Sequence, residues 1–367
     1  MKNVFGNAIT VTLFGESHGE MIGAVLDGIA PGIAIDPEYI DKKLAMRRPS
    51  GKISTARVEA DKYRIVSGVY RGYTTGTPLT LLIENTNTKS SDYSELSVKP
   101  RPSHADYTAG VKYHGYEDPR GGGHFSGRIT AALVAVGAIL SSALAKKGIL
   151  IGTHIASIGT VEDRGFESLC EDITALDSLE FPVLSDSSAK DMKAYIEAAA
   201  ADGDSVGGVL ETAIIGLPAG VGEPWFDSVE SRLSHIVFSV PGVKGVEFGD
   251  GFAITKMRGS EANDPFEIAD GRVATSTNHS GGINGGITNG MPIIMRAAVK
   301  PTPSIFKEQA TVNLREMKND TLSLSGRHDP CIVHRARAVV EAVAAIAISD
   351  MLTERYGTDA LREGTTL

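Results

Sequence analysis

The chain has 367 residues, of which 42% are hydrophobic and 22% are charged, so it is long enough to bury a large core. Its formal net charge of −9 argues against a nucleic-acid-binding protein, which would normally carry a basic excess. Only two cysteines, Cys170 and Cys331, argue against a disulfide-based secreted fold. The sequence has no uninterrupted run of 18 apolar residues and therefore predicts no membrane span. The polar start MKNVFGNAITVT does not resemble a signal peptide. We therefore expect a cytoplasmic protein.

Short runs of β-branched residues between turns predict strands along the whole chain. These runs are AITVTLFG, KYRIVSGVY, PLTLLIEN, VGGVLETAIIGL, GFAITKMRG and PIIMRAAVK. After the first run, Asp36 followed by Pro37 is typical of a helix start, and this helix is expected to end near Arg47, shortly before Pro49. A further helix is predicted from Ser188 to Ala201.

Two long segments predict buried helices, one from Arg128 to Gly148 and one from Val333 to Gly357. Both are apolar around most of their circumference, which indicates burial rather than a surface position. Strands grouped on either side of them favour a single α+β domain over residues 1–367, built as a sheet–helix–sheet sandwich. Similar loops with Arg and His precede the two helices, so a distant internal duplication is a further hypothesis.

The first candidate for chemistry is the stretch GESHG, from Gly15 to Gly19. Ser17 and His18 are adjacent, and adjacent side chains on an extended segment point to opposite faces, so they would make a poor nucleophile and base. A hydrolase would instead show Gly-x-Ser-x-Gly on a strand-to-helix turn. The motif alone leaves two interpretations, a turn with a structural histidine or a loop with a functional one.

Two more loops combine histidine, arginine and glycine. In RPSHADYT the prolines are expected to keep the loop extended, and His104 beside Arg101 would suit an anionic ligand, although an incidental surface histidine is the alternative. In RGGGHFSGR the glycines allow backbone N–H groups to approach a ligand, and Arg128 at a helix start favours a bound anion. An ordinary turn is the alternative there.

The last two motifs lie near the carboxyl terminus. SGGINGGITNG leads through a strand to KPTPS, in which Lys300 and two hydroxyl residues suit a phosphate. The alternative for this segment is a hairpin with a rigid exit. In GRHDPCIVHRA, Arg335 lies in an apolar helix and needs an anionic partner, whereas Asp329 before a proline could be a helix cap. Because metal, Walker A and Rossmann patterns are absent from the sequence, these motifs predict a phosphorylated anionic ligand and acid–base chemistry without metal.

The motifs FGESHG, RPSHADYT, RGGG, GGINGGITNG with KPTPS, and GRHDPC occur in this order, and on them the chain resembles the chorismate synthase family over nearly its whole length. The resemblance implies a lyase of the shikimate pathway. It would remove phosphate and a ring hydrogen from 5-enolpyruvylshikimate 3-phosphate, by an anti-1,4-elimination, to give chorismate. It also implies reduced FMN as cofactor with no net redox change, a β-α-β sandwich fold and a homotetramer.

The same resemblance implies roles for individual residues. His18 would be the general acid for the leaving phosphate, His104 would lie beside the flavin, and Asp329 would help to remove the ring hydrogen. Substrate-binding arginines would be Arg47, Arg48, Arg128 and Arg335. Flavin-binding residues would be Ser126, Gly285, Lys300, Thr302, Pro303, Ser304 and Arg327.

The sequence departs from the family after the three glycines, where Arg-Ser-Ser is usual and His124, Phe125 and Ser126 stand instead. His124 would replace the arginine's charge only when protonated, and Phe125 could pack on the flavin ring. This departure favours one alternative, a flavin- or phosphate-binding relative without catalysis, which the intact His18, His104 and Asp329 oppose. Another alternative is an enzyme that reduces its own flavin with NADPH, although the sequence has no dinucleotide fingerprint.

Overall fold

The computed structural model describes residues 2–49, 53–54, 61–86, 98–324, 326 and 328–367. The strands up to residue 84 are β1 (Val4–Phe5), β2 (Thr10–Gly15), β3 (Met21–Asp27), β4 (Tyr63–Ser67), β5 (Val69–Tyr70), β6 (Tyr73–Thr74) and β7 (Leu79–Glu84). The later strands are β8 (Leu150–Ile158), β9 (Val161–Glu162), β10 (Gly208–Ile215), β11 (Val243–Phe248), β12 (Phe266–Ala269), β13 (Arg272–Thr275), β14 (Ile283–Asn284), β15 (Ile287–Thr288), β16 (Ile293–Val299), β17 (Gln309–Asn313) and β18 (Lys318–Leu322). The helices are α1 (Pro37–Met46), α2 (Asp106–Tyr113), α3 (Thr130–Ala145), α4 (Leu169–Leu176), α5 (Asp186–Ala201), α6 (Val229–Val237), α7 (Gly259–Ala262) and α8 (Val333–Tyr356).

The first of the two larger sheets has the strand order β1-β2-β3-β7-β4, and all neighbouring strands are antiparallel. Strand β7 buries Leu79, Leu81 and Ile83 in alternation with more exposed residues, as expected when one face covers the core. The register aligns the end of β2, at Gly15, with the start of β3 and the end of β7, at Glu84. The loops after β2 and β7 therefore leave the sheet at the same end.

The second large sheet has the order β11-β16-β10-β8-β9 and is also antiparallel. Leu210 on β10 lies between Ala297 on β16 and Ile155 on β8. The alternating pattern of β16 buries Ile293, Met295, Ala297 and Val299. Since β16 ends at Val299, the KPTPS segment leaves this sheet directly from a well-packed strand.

Helices α3 and α8 pack against each other, α3 also contacts β3 and β7 of the first sheet, and α8 also contacts β8 and β10 of the second. Gly137 marks a close approach of the two helices, because a Cβ atom there would lie 2.4 Å from Cβ of Ala342. The segment Gly127–Ala145 is long and apolar enough to cross a membrane, but most of it is buried in the protein interior. Its composition is accounted for by this core position, as the sequence predicted.

Two buried carboxylates of α8, those of Glu341 and Asp350, meet compensating groups. Glu341 accepts a hydrogen bond from Nζ of Lys43 on α1 at 2.9 Å. Asp350 accepts the backbone N–H groups of Ala8 and Ile9, each at 2.8 Å, and pairs with Arg232. Buried charges are tolerated when they are paired in this way, so these contacts connect the first strands and α1 to the central helix.

Mixed α and β content and most of the predicted elements are confirmed, but two local predictions are wrong. GFAITKMRG is a 3₁₀ turn, Gly251–Lys256, rather than a strand. Hydrogen bonds from the Phe252 N–H to Glu247 and from the Ala253 N–H to the Asp250 carbonyl close it into a turn. RPSHADYT is not extended throughout, because α2 begins at Asp106.

Candidate active site

His18 lies in the turn after β2, and its neighbours are held by backbone contacts. The Gly19 N–H donates to the Glu16 carbonyl at 3.1 Å, and the Ser17 N–H donates to the Gly123 carbonyl at 3.0 Å. Asn85, just after β7, donates from Nδ2 to the carbonyls of Glu16 (3.0 Å) and Gly19 (2.9 Å). The common end of β2 and β7 thus builds the turn and buries the imidazole of His18.

The triple-glycine loop joins the two predicted catalytic histidines. A Cβ atom at Gly121, where φ is +60°, would lie 2.2 Å from both Cε1 and Nδ1 of His18. At Gly122 a Cβ atom would lie 3.4 Å from Cε1 of His104. Only glycine allows the first of these approaches, so the loop backbone lies directly against His18, while His104 and Gly122 line the same cavity.

His104 is oriented by an ionic pair within its own loop. Its Nδ1 lies 2.6 Å from the Asp106 carboxylate, which also accepts hydrogen bonds from the Arg101 guanidinium at 2.8 Å. Burial alone would raise the pKa of Asp106, but the bonds from Arg101 and His104 outweigh burial and hold that pKa well below its ordinary value. The ionised carboxylate therefore fixes the Nδ1–H of His104 and turns Nε2 toward Gly122.

Two predicted substrate-binding arginines, Arg47 and Arg128, share one buried carboxylate. Arg47 donates from Nη1 to Oδ2 of Asp61 at 2.7 Å, and Nη1 of Arg128 pairs with Oδ1 of the same residue. The Asp61 side chain is fully buried. Arg128 also donates from Nε to Oδ1 of Asn85 at 3.0 Å, which links this cluster to the turn of His18.

Asp329 and Arg335 connect the same cluster to the start of α8. Arg335 pairs with Oδ2 of Asp329 and donates from Nε to the Arg47 carbonyl at 2.9 Å. The expected anionic partner of Arg335 is therefore Asp329, whereas the interpretation of Asp329 as a helix cap is wrong, because α8 begins only at Val333. The Asp329 carbonyl accepts the hydroxyl of Thr302 at 2.6 Å.

Lys300 closes these contacts into a circuit. Its ammonium group donates to the carbonyl of Ser103, the neighbour of His104. Partial burial and then the charge of nearby Lys244 lower the pKa of Lys300 below its ordinary value. Because the charge of Lys244 acts on Lys300, the two lysines form an electropositive position that an anion would stabilise. Thr302, two residues after Lys300, bonds to Asp329, which pairs with Arg335. We call the resulting set of linked residues the circuit: Ser103, His104, Lys300, Thr302, Asp329, Arg335, Arg47, Asp61, Arg128, Asn85 and the turn of His18.

The other predicted flavin-binding residues of the described chain lie beside Arg128, in the turn between β14 and β15, and after β16. Ser126 accepts a bond at Oγ from the Arg128 N–H at 3.3 Å. Gly285 lies in the turn between β14 and β15, where a Cβ atom would meet no atom within 4 Å. Pro303 and Ser304 continue the segment after β16. Contact of these residues with a flavin stays a prediction.

Two predicted arginines complete the set. Arg327 lies outside the described residues, so its role in binding stays a prediction. Arg48 follows α1, donates its backbone N–H to the Ala45 carbonyl at 3.0 Å and has a buried Nε. It directly follows Arg47, and its contact with substrate stays a prediction.

The sequence interpretation missed two residues of the circuit, Asp61 and Asn85. Asn85 had a weak signal, since a polar residue directly after a buried strand is a common place for function. Asp61 had none, because it belongs to no motif and acquires its role only where residues distant in sequence meet. Its φ of +47° is uncommon for a residue other than glycine and marks the position in the structure.

His334, in the first turn of α8, is a buried titratable group next to this circuit. Its Nε2 lies 2.8 Å from Oγ of Ser54. Burial lowers the pKa of the imidazole to about 3, and three nearby cations add to the effect: Arg335, Arg337 and Lys193. His334 is therefore neutral in the folded protein over the whole physiological pH range.

We expect His334 to destabilise the protein in acid. Between pH 6.5 and about 3 the unfolded chain binds a proton at this residue that the folded chain does not, so the free energy of unfolding should fall by up to about 1.4 kcal/mol per pH unit as the pH decreases. Denaturant unfolding of the wild type and of His334→Gln between pH 4 and 8 measures the difference, in which the other titrating groups cancel. Parallel pH dependences would contradict the expectation.

Comparison with known proteins gives a consistent result. The sequence model of a family described as chorismate synthase matches residues 9–353. A chorismate synthase of Pyrococcus abyssi is 49% identical over 351 residues, and the match covers 95% of this chain and 97% of the Pyrococcus chain. A chorismate synthase of Dehalococcoides mccartyi is 45% identical over 354 residues, and the match covers 96% of both chains. A crystal structure of a chorismate synthase superposes with a TM-score of 0.76 at 30% identity, covering 96% of this chain and 94% of the other.

Proposed function

The chain belongs to the chorismate synthase family of lyases, and we propose that its circuit of loops converts 5-enolpyruvylshikimate 3-phosphate to chorismate. The observation that supports this proposal is that His18 and His104 lie on either side of the triple-glycine loop, while Asp329 is linked through Arg335 to the arginine cluster that reaches the turn of His18. A substrate with one phosphate and two carboxylates needs such cations, and its elimination needs a proton donor and a proton acceptor. The circuit contains both kinds of group.

Reduced FMN fits the donor set at the exit of β16. The electropositive position of Lys300 beside Lys244 and the hydroxyls of Thr302 and Ser304 would hold its phosphate and ribityl chain. Gly285 offers backbone with open space where a side chain would otherwise stand. His104, held by Asp106, would face the ring edge. The cofactor, when bound, supplies electron density to the substrate ring as the phosphate leaves.

The chain's own residues would move the protons. Cleavage of the carbon–oxygen bond sends its electron pair to the departing phosphate, and His18 delivers a proton to that group. The carboxylate of Asp329, oriented by Arg335, accepts the ring hydrogen as a proton. The electrons of the broken C–H bond form one double bond while the existing ring double bond shifts to the carbon that lost phosphate, so the products are chorismate and phosphate. Arg47 and Arg128, fixed by Asp61, hold the substrate's anionic groups during the reaction.

An anaerobic assay tests the proposal. With chemically reduced FMN and 5-enolpyruvylshikimate 3-phosphate, we expect equimolar release of phosphate and formation of chorismate, and no reaction without flavin. Flavin binding without turnover would instead identify a non-catalytic relative. Turnover with oxidised FMN and NADPH, accompanied by NADPH oxidation, would add a flavin reductase activity. The absence of both binding and turnover would refute the proposal.

We infer three further properties that the family resemblance implies. Contacts of α3 with the first sheet and of α8 with the second support a β-α-β sandwich. A homotetramer is supported by the exposed apolar face of the β12–β13 hairpin, which presents Phe266, Ile268 and Val273, and light scattering should give four times the 38.7 kDa chain mass. A cytoplasmic location is supported by the free thiols of Cys170 and Cys331, and fractionation of the cells tests it.

A further inference from the structure

His124 stands where the family usually has arginine, and its contact in this chain is with the backbone. Its Nδ1 lies 2.8 Å from the carbonyl oxygen of Gly15, the last residue of β2. A carbonyl can only accept, so Nδ1 carries the hydrogen whether the ring is neutral or charged. The contact therefore requires no positive charge on His124, in contrast to the expectation that this residue replaces the arginine only when protonated.

This hydrogen bond is one of a pair that joins the glycine loop to the turn of His18. The Ser17 N–H donates to the Gly123 carbonyl at 3.0 Å, and His124 donates in the opposite direction to Gly15. Gly15 is thus hydrogen-bonded to His124, and Ser17 to Gly123. Two residues earlier, the backbone of Gly121 lies directly against the His18 ring.

We propose that His124 is a positioning residue for His18. By holding the end of β2 to the glycine loop, it keeps the His18 imidazole against Gly121 and aimed at the substrate. The neighbouring Phe125 does not take part, because its ring makes an edge contact with Tyr113 of α2 at a centroid distance of 6.0 Å. The proposal rests on the function proposed above for its kinetic consequence, but the geometry of His18 can be tested separately.

Three substitutions separate positioning from charge. The side-chain amide of asparagine coincides with Nδ1 of histidine, whereas that of glutamine coincides with Nε2. We expect His124→Leu and His124→Gln to lower kcat by about 10- to 100-fold, as small misplacements of a catalytic group do. His124→Asn should stay within a few fold of the wild type, and FMN affinity should change little in all three variants.

A second measurement does not depend on turnover. The imidazole carbon–proton NMR signal of His18, recorded without flavin or substrate, should shift or broaden in His124→Gln and return to the wild-type position in His124→Asn. Activity retained by Gln and lost by Asn, or weaker FMN binding with an unchanged His18 signal, would overturn the proposal. A wild-type protein that fails to turn over would refute the proposed reaction, while the NMR comparison would still decide the role of His124.

Discussion

Replacing His18 by asparagine is expected to lower kcat by about 10²- to 10⁴-fold, the usual contribution of a general acid. Phosphate is a poor leaving group when it departs without a proton, and His18 is the buried imidazole placed against the glycine loop. KM should change far less, because the anionic groups of the substrate are bound by arginines. Initial rates of chorismate formation with reduced FMN measure both constants.

The pH dependence separates an acid from a merely structural histidine. If His18 is the general acid, the pH dependence of kcat in the wild type should differ from that of the residual activity of His18→Asn. A matched control is His114→Asn. His114 is exposed and caps α2 with a φ of +59°, a conformation that asparagine tolerates. Full activity in the His18 variant would exclude the acid role.

The elements that the sequence predicted well carry their signals locally. The start of α1 could be predicted because the Asp36 side chain accepts a hydrogen bond from the N–H of Tyr39, only three residues away in the sequence. Helices α3 and α8 were readable because burial on all sides imposes an apolar composition. Strand β8 was missed, since His154 interrupts its apolar pattern, and that histidine is tolerated only through Asp163 and Glu211.

In the candidate site, too, some residues could be predicted from local motifs and others only from tertiary contacts. Histidines 18 and 104 lie in short motifs that resemble a family, so they could be named from the sequence. Asp61 and Asn85 could not, because their importance comes from bonds to Arg128, 67 and 43 residues away. His124 was identified as a departure, but its hydrogen bond to Gly15 depends on the packing of two loops 109 residues apart. Local patterns therefore indicated which chemistry to expect, and tertiary contacts determine how it is arranged.

Replacing Asp61 by asparagine should lower the free energy of unfolding by about 3 kcal/mol, the usual cost of removing one partner from a buried ion pair. The substitution preserves shape, and asparagine accepts the left-handed backbone at this position. It removes the negative charge between the guanidinium groups of Arg47 and Arg128. Denaturant unfolding measures the change.

The control for this variant is Asp270→Asn. Asp270 has a φ of +51°, close to the +47° of Asp61, but it is exposed in the turn between β12 and β13. The same chemical change on the same backbone conformation should therefore shift the free energy of unfolding by no more than about 0.5 kcal/mol. Equal effects in the two variants would mean that the buried cluster contributes nothing beyond local backbone preference.

An added anion should partly replace the charge that Asp61→Asn removes. Since Arg47 and Arg128 are the proposed ligands of the substrate's anionic groups, inorganic phosphate should raise the melting temperature of the variant more than that of the wild type, by the linkage between binding and unfolding. Equal stabilisation of both proteins by phosphate, at matched ionic strength, would contradict this expectation and show that Asp61 does not compete with anions for the two arginines.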